Sequence, residues 1–331
     1  MKEFSILIVE DIDSIRTAIF ELLSEKYEVF TAPNYNKAVE ILNQQSIDLV
    51  ITDIRMPGKS GLELIEYIRA NYPKIQYALI TAYDINQYIH FAKNNQIWNI
   101  IPKYSSLDLN YISIMVYKLF YKDIFGIEKY FPSLKIIDSR KDTKFETIED
   151  GEFIFKTVKT DKQREHLSEK ISKFLIKKGA NRAIQQILEE LTSNAMIRAP
   201  KDSLGKSKYQ TEEPHKDKLI SHKKVLLSDK DYFEVGYGIY KNSFIVVIRD
   251  HHGSLQKEEI LYRLDRQVTI LPKLKSPLGI NDTHGRGLFI CREMADQLII
   301  NIQKNKMTEI IAILNNSDAK GYKGLSIFEI E

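Results

Sequence analysis

Five residues suited to handling phosphate stand at the ends of short apolar runs. Glu10 and Asp11 close SILIV, Asp53 closes IDLVIT, Thr81 lies at the end of IQYALITA, and Lys103 closes IWNIIP. Carboxylates brought to one place repel each other, and a divalent cation relieves that repulsion. Mg2+ prefers oxygen ligands and keeps several waters, which leaves room for a phosphoryl group. A carboxylate can also act as a nucleophile and form an acyl phosphate. A lysine and a hydroxyl alongside would then bind the new phosphoryl oxygens.

A second set lies in EELTSNAMIRAP, residues 189–200. Ile184, Leu188, Leu191 and Ala195 have the spacing of a buried helical stripe. Glu190, Asn194 and Arg198 recur at i, i+4 and i+8, so a helix lines them up on one flank, and Ala199-Pro200 ends it. A solvated face accounts for such a row in an arbitrary helix. Beside a nucleotide it would have a use: an amide oxygen for Mg2+, a carboxylate one turn away to orient the attacking group, and a cation for a phosphate. Asp250, ending SFIVVIRD, could accept from an adenine amino group. Gly285 and Gly287 open a helical stretch whose free N–H groups attract phosphates.

These residues need elements to hold them. Through residue 103, apolar strand-like runs and helical stretches alternate five times, which predicts a parallel sheet flanked by helices. Ligands in such sheets bind beyond the carboxyl ends of the strands, where the first set falls. Residues 109–130 are helical in period and aromatic, 142–159 look like a strand pair, and 161–178 like an amphipathic helix. Beyond a polar loop at 201–223 come three strand-like runs, KVLLSD, YFEVGYGIY and SFIVVIRD. A polar stretch of about 30 residues, the helix HGRGLFICREMADQ (284–297) and the strands LIINIQK and TEIIAIL follow. The expected architecture is α/β throughout, with a five-stranded, doubly wound parallel sheet of flavodoxin-like form followed by an α/β sandwich.

The stretch DIRMPGKSG (53–61) fits the D-x-x-M-P-x-x-x-G phosphorylation loop at every defined position, and residues 3–122 resemble the response-regulator receiver domain. The resemblance implies Asp53 as phospho-acceptor, Glu10 and Asp11 with Asp53 as Mg2+ ligands, Thr81 as switch hydroxyl and Lys103 as phosphate-binding lysine. Two positions depart from that pattern. Pro102 precedes the lysine instead of following it, and Ile100 occupies the place of the switch aromatic. Residues 160–315 resemble the GHKL, or Bergerat-fold, ATP-binding domain, closest to the anti-sigma-factor serine kinases. ELTSNAMIRA matches its N box, VVIRDHHGSL its first glycine box and HGRGLF its second. That resemblance implies Asn194 as the Mg2+ ligand, Glu190 as catalytic base, and Arg198, Asp250, Gly253, Gly285, Gly287 and Thr308 as ATP-binding residues. Here His252 stands where the first glycine box has its glycine, and Arg286 separates the glycines of the second.

The expected domains are a receiver at 1–122, a connector at 123–144 and an ATP-binding domain at 145–331. Of the 331 residues, 43% are hydrophobic and 28% charged, as in ordinary soluble proteins. No run suits a membrane span or a signal peptide, and one cysteine excludes an internal disulfide, so the cytoplasm is the expected compartment. Residues 1–122 carry net charge −2 and the remainder +5, too little for a dense nucleic-acid-binding field. Gly205-Lys206-Ser207 imitates a phosphate loop, but Pro200 replaces the required earlier glycine. His166 lacks the acidic neighbour of a kinase phospho-acceptor, and His215, His222, His251 and His252 have no zinc spacing. The function these readings imply is a response regulator, phosphorylated on Asp53 by an upstream histidine kinase. It would control an ATP-binding output, similar to the anti-sigma-factor Ser/Thr kinases, that acts on a partner protein such as an anti-anti-sigma or sigma factor. The alternatives are an output that binds nucleotide and sequesters a partner, or an atypical histidine kinase.

Overall fold

In the computed structural model, residues 2–103, 108–137, 147–209, 225–271, 276–279, 286–315 and 323–331 are described. The chain forms two compact units, Met1–Asp123 with Gly321–Ser326, and Ile124–Lys320 with Ile327–Glu331.

The first unit runs β1 (Ser5–Val9), α1 (Asp13–Ser24), β2 (Glu28–Ala32), α2 (Tyr35–Gln44), β3 (Leu49–Asp53), α3 (Gly61–Asn71), β4 (Gln76–Thr81), α4 (Ile89–Asn95), β5 (Asn99–Pro102) and α5 (Leu109–Tyr121). The five strands are parallel in the order β2-β1-β3-β4-β5. Every residue of β1 and β3 is buried, as befits central strands covered on both faces. Leu7, Val9, Val50, Leu64 and Ile68 form one core with Met56, the methionine of the loop after β3. The helices start where the sequence supplies caps. Asn34 accepts from the Lys37 N–H, Ser60 and Glu63 form a reciprocal capping box, and Asp108 accepts from the Tyr111 N–H. A further strand segment, absent from the sequence expectation, completes this unit: Leu325 and Ser326 pair antiparallel with Ile100 and Asn99. The Tyr111 hydroxyl donates to Ser326 Oγ at 2.6 Å.

The second unit contains β6 (Lys135–Ile137), β7 (Glu152–Val158), α6 (Asp161–Lys177), α7 (Ala183–Ser193), β8 (Phe233–Tyr240), β9 (Ser243–Asp250), α8 (Lys257–Val268) and the small hairpin β10 (Ile270–Leu271) and β11 (Ser276–Pro277). Then come α9 (Arg286–Met294), β12 (Gln297–Gln303), β13 (Met307–Asn315) and the last four residues of β14 (Gly324–Ile330), whose first three belong to the first unit. The strands β12-β13-β9-β8-β7-β6 lie side by side, antiparallel except for the parallel pair β6 and β7. Helices α6, α7, α9 and α8 touch in that succession and α7 rests on β9 and β13, so they form one layer on the sheet. Strand alternation then sorts the side chains. Phe233, Val235 and Tyr237 face the helices, where Tyr237 meets Phe174 of α6. Gly236 and Gly238 face the other way, and a Cβ on either would press into the Phe153 ring of β7.

Several expectations are corrected by these elements. The helix read over 109–130 ends at Tyr121, where Lys122 takes a left-handed conformation and caps it. Residues 127–129 then make a single 3-10 turn, and β6 follows. Of the strand pair read in 142–159, β7 is seen pairing with β6 and β8, and residues 142–146 lie outside the described residues. KVLLSD is no strand among the described residues and contributes one bridge, Thr160 to Leu226. The polar stretch after Asp250 contains the twelve-residue α8, whose apolar residues Ile260, Leu261 and Leu264 are buried. The charged and amide side chains that make up most of this helix hide its short apolar stripe.

Candidate functional site

The first cluster forms where β1, β3, β4 and β5 end. Carboxylate oxygens of Glu10, Asp11 and Asp53 lie within 4.8 Å of one another. Lys103 Nζ reaches both Glu10, at 2.7 Å, and Asp53, at 3.1 Å. Glu10 and Asp53 are almost fully enclosed, and that burial raises both carboxyl pKa values despite the lysine. The Ile54 N–H donates to Asp53 Oδ1 at 2.8 Å and fixes the carboxylate's orientation. Thr81 stands in register beside Pro102, and the Lys103 N–H donates to the Thr81 carbonyl at 2.6 Å. The Pro102-Lys103 order therefore leaves the lysine at the strand end. Receiver domains bind Mg2+ at an acidic site, and this Glu–Asp–Asp group offers three carboxylates, only two of them paired with Lys103, as oxygen donors for it.

The loop 53–61 shows why its motif has a terminal glycine. A Cβ on Gly61 would lie 1.8 Å from the Asp53 carbonyl oxygen and 2.7 Å from Thr52 Oγ1. Backbone cannot yield as a flexible side chain would, so Gly61→Ala must move Asp53. It is expected to cost at least about 1–3 kcal/mol of stability and to slow phosphoryl uptake. Chemical denaturation and acetyl-phosphate labelling measure the two effects. One feature escaped sequence reasoning. Arg55 stacks on the Tyr83 ring at 4.0 Å and donates from Nε to the Tyr88 hydroxyl at 3.2 Å, while the Tyr83 N–H donates to Thr81 Oγ1 at 3.0 Å. Periodicity says nothing about where a loop arginine points.

In the second unit Glu190, Asn194 and Gly287 come together. Glu190 and Asn194 share a flank of the helix that begins as α7, and Gly287 packs against both. A Cβ there would come within 2.3 Å of Glu190 Oε2 and 3.3 Å of Asn194 Nδ2. Burial raises the Glu190 pKa, against the attraction of Arg198. Residues 194–198 are a π-helical turn closed by the Ala199 N–H on the Asn194 carbonyl at 3.0 Å. Arg198, at the end of this turn, still attracts the Glu190 carboxylate, so the wider turn keeps the two within electrostatic reach. Such turns recur at functional sites. Arg198 is half-buried near Arg263 and Glu259, and its pKa is lowered by burial and by Arg263.

The Ser254 hydroxyl donates to the Ala199 carbonyl at 2.8 Å, so the loop after β9 touches the end of this helix. Asp250 stands directly across from Thr308 on the helix-facing side of the sheet. Its Oδ1 accepts from the N–H groups of His252, at 3.0 Å, and Gly253, at 3.4 Å. Burial pushes the Asp250 pKa up to about 6, against those two N–H groups and the Thr308 hydroxyl. Gly253 has φ +56°, and a Cβ on it would lie 1.9 Å from the Gln303 carbonyl oxygen. His252 turns toward Asp231, 3.6 Å away, where Lys208, Tyr209 and Ser228 also bind. Gly285 and His284 lie outside the described residues, as do His215 and His222. Gly205-Lys206-Ser207 is a turn in which Asp202 accepts from the Leu204 and Lys206 N–H groups.

Residues 6–110 match the family model described as response regulator receiver domain. The chain is 30% identical over 124 residues to the sporulation initiation phosphotransferase F of Bacillus subtilis, covering 33% of this chain and 100% of that one. It is 40% identical over 78 residues to the response regulator protein PilR of Pseudomonas aeruginosa, covering 23% of this chain and 18% of that protein. The chain thus spans under a fifth of PilR's length. A solved structure of the response regulator protein TrrA from Thermotoga maritima, in complex with Mg2+ and BeF, is 33% identical and covers 35% of this chain and 98% of that one, with a TM-score of 0.32. Among the described residues, no helix is long and apolar enough to cross a membrane.

Proposed function

We propose, from the premise that this chain belongs through residues 6–110 to the response regulator receiver domain family, that phosphorylation of Asp53 controls an ATP-binding output formed by residues 145–331. The receiver implies an upstream phosphodonor such as a histidine kinase. An Asp53 oxygen attacks the phosphorus, the bond from phosphorus to the donor's imidazole nitrogen breaks, and the electron pair leaves with that nitrogen. Glu10, Asp11 and Asp53 would hold Mg2+, which neutralises charge on the transferring group. Lys103 would meet the phosphoryl oxygens and Thr81 would sense them. Residues 1–122 would be the receiver and 123–144 the connector.

The observation that carries the output reading is the convergence of Glu190, Asn194 and Gly287, residues 97 positions apart at the extremes and chosen for one chemistry. Asn194 would bind Mg2+ with ATP, Asp250 and Thr308 the base, and Arg198, Gly253, Gly285 and Gly287 the phosphates or the loops beside them. Glu190, whose carboxyl burial makes more basic than an ordinary one, would activate a hydroxyl of a partner protein such as an anti-anti-sigma or sigma factor. Calorimetry with ATP and Mg2+ tests this. Asn194→Ala is expected to weaken binding at least about tenfold, the scale of a lost metal-binding group. Absence of ATP binding by the intact protein would refute the output reading.

A second reading is a nucleotide-holding switch that sequesters its partner without phosphorylating it. The turn of His252 toward Asp231, in the place of a glycine, favours it. Glu190→Gln separates the two: under the first reading the intact protein phosphorylates its partner and the variant does not, and under the second neither does and partner capture is unchanged.

A further inference from the structure

The sheet of the second unit carries a polar row on the face away from its helices. Asn301 of β12, Glu309 of β13, Arg249 of β9 and Glu234 of β8 stand in register across four adjacent strands. Glu309 is fully buried. Its Oε2 accepts from Arg249 Nη2 at 2.6 Å and Nε at 3.2 Å, and its Oε1 from Asn301 Nδ2 at 3.0 Å. Arg249 also reaches Glu234 at 3.4 Å and stacks on the Phe155 ring at 4.5 Å.

One more donor completes the set. The backbone N–H of Gly126, in the segment that follows α5, donates to Glu309 Oε1 at 3.1 Å. Gly126 has φ +106°, and the segment is held on both sides by the buried Ile124 and Ile127. The register gives this contact a consequence. Glu309 and Arg249 each precede or follow by one residue the pair Thr308 and Asp250, which point to the opposite face. A buried carboxylate that must satisfy a guanidinium, an amide and a backbone N–H cannot shift alone without leaving one of them unpaired.

We propose that Glu309 is a positioning residue: it grips the connector at Gly126 on one face of the sheet and, through β13 and its partner Arg249 on β9, sets the Asp250–Thr308 pair on the other. The connector's position thereby becomes an input to the base-reading end of the candidate nucleotide site. Only this last consequence rests on the ATP-binding reading. The mechanical link does not.

Hydrogen–deuterium exchange on the full chain, read at the His252 and Gly253 amides that bond to Asp250, tests the link. Gly126→Ala perturbs the connector without altering a sheet atom, since its Cβ meets the Glu128 carboxylate at 2.2 Å and φ +106° is strained for alanine. Exchange at His252 and Gly253 is expected to rise about threefold or more, while amides of α6 keep their protection. Glu309→Gln, which keeps the shape and weakens the grip, is expected to do the same and to leave Gly126→Ala without further effect. Exchange that rises in 124–130 alone, or equally throughout the unit as in simple destabilisation, would overturn the proposal. Calorimetry of the same proteins with ATP reads the consequence as a parallel loss of affinity. If the intact protein binds no ATP while the exchange effect is present, the nucleotide reading fails and the positioning role stands.

Discussion

Asp53→Asn is expected to abolish phosphoryl uptake from acetyl phosphate, with no residual slow phase. Asparagine fills the same space but offers no carboxylate nucleophile. Neither Glu10 nor Asp11 can substitute, because Glu10 is turned into Lys103 and the Ile12 N–H, and Lys103 is committed to Glu10 and Asp53 rather than to Asp11. The substitution should not unfold the receiver. It removes one of three carboxylates crowded within 4.8 Å, so thermal stability is expected to stay level or rise. Mass spectrometry of the intact protein after incubation with Mg2+ and acetyl phosphate reads the first effect, and a melting curve the second. A phosphorylated Asp53→Asn chain would move the acceptor to another residue. If the receiver controls the output, this variant should also fix ATP and partner affinity at the unphosphorylated level. Identical affinities in Asp53→Asn and in the phosphorylated protein would break that link.

How much of this could be read beforehand depended on what kind of force fixed each feature. The receiver was legible because its site is written in strand ends: apolar runs such as SILIV and LVITD are buried on both faces, and the charge at each terminus has one place to go. Asp250 and Thr308 can each be singled out in the sequence, but that they stand opposite each other is not local information. It follows from the pairing of β9 with β13, across 58 residues of chain. Glu309 escaped notice because a lone acid between threonine and isoleucine reads as an exposed strand position. Its partners Arg249, Asn301 and Gly126 are assembled by three separate strand and loop contacts. Arg198 shows a different limit. The α-helical period does not announce the π turn at 194–198 that carries it. The added pairing of Leu325 and Ser326 with β5 comes from the far end of the chain, where no motif announces it.

Asp250 should give opposite pH responses in stability and in nucleotide affinity. Its carboxyl titrates at about 6 in the folded protein against 3.8 ordinarily, because burial penalises the charge. Between those values the folded state binds more protons than the unfolded one. The group's contribution to stability is therefore full below about pH 4 and is lost as pH rises through 6, a change of about 3 kcal/mol. Asp250→Asn should remove that slope and make the protein more stable at pH 7 by a comparable amount. Denaturation of the two proteins at pH 5 and pH 7 isolates the term, since acids common to both cancel. Affinity runs the other way. Under the proposed ATP-binding reading, a carboxylate that accepts from an adenine amino group serves best ionised, so ATP binding is expected to weaken by up to about tenfold per pH unit below 6. The nucleotide titrates in the same range, and the difference between the wild-type and Asp250→Asn proteins removes its share. A wild-type affinity that follows the variant's at every pH would take Asp250 out of the base site. A stable and tighter-folding Asp250→Asn protein that has lost ATP would instead show a residue kept at a cost to the fold for the ligand it reads.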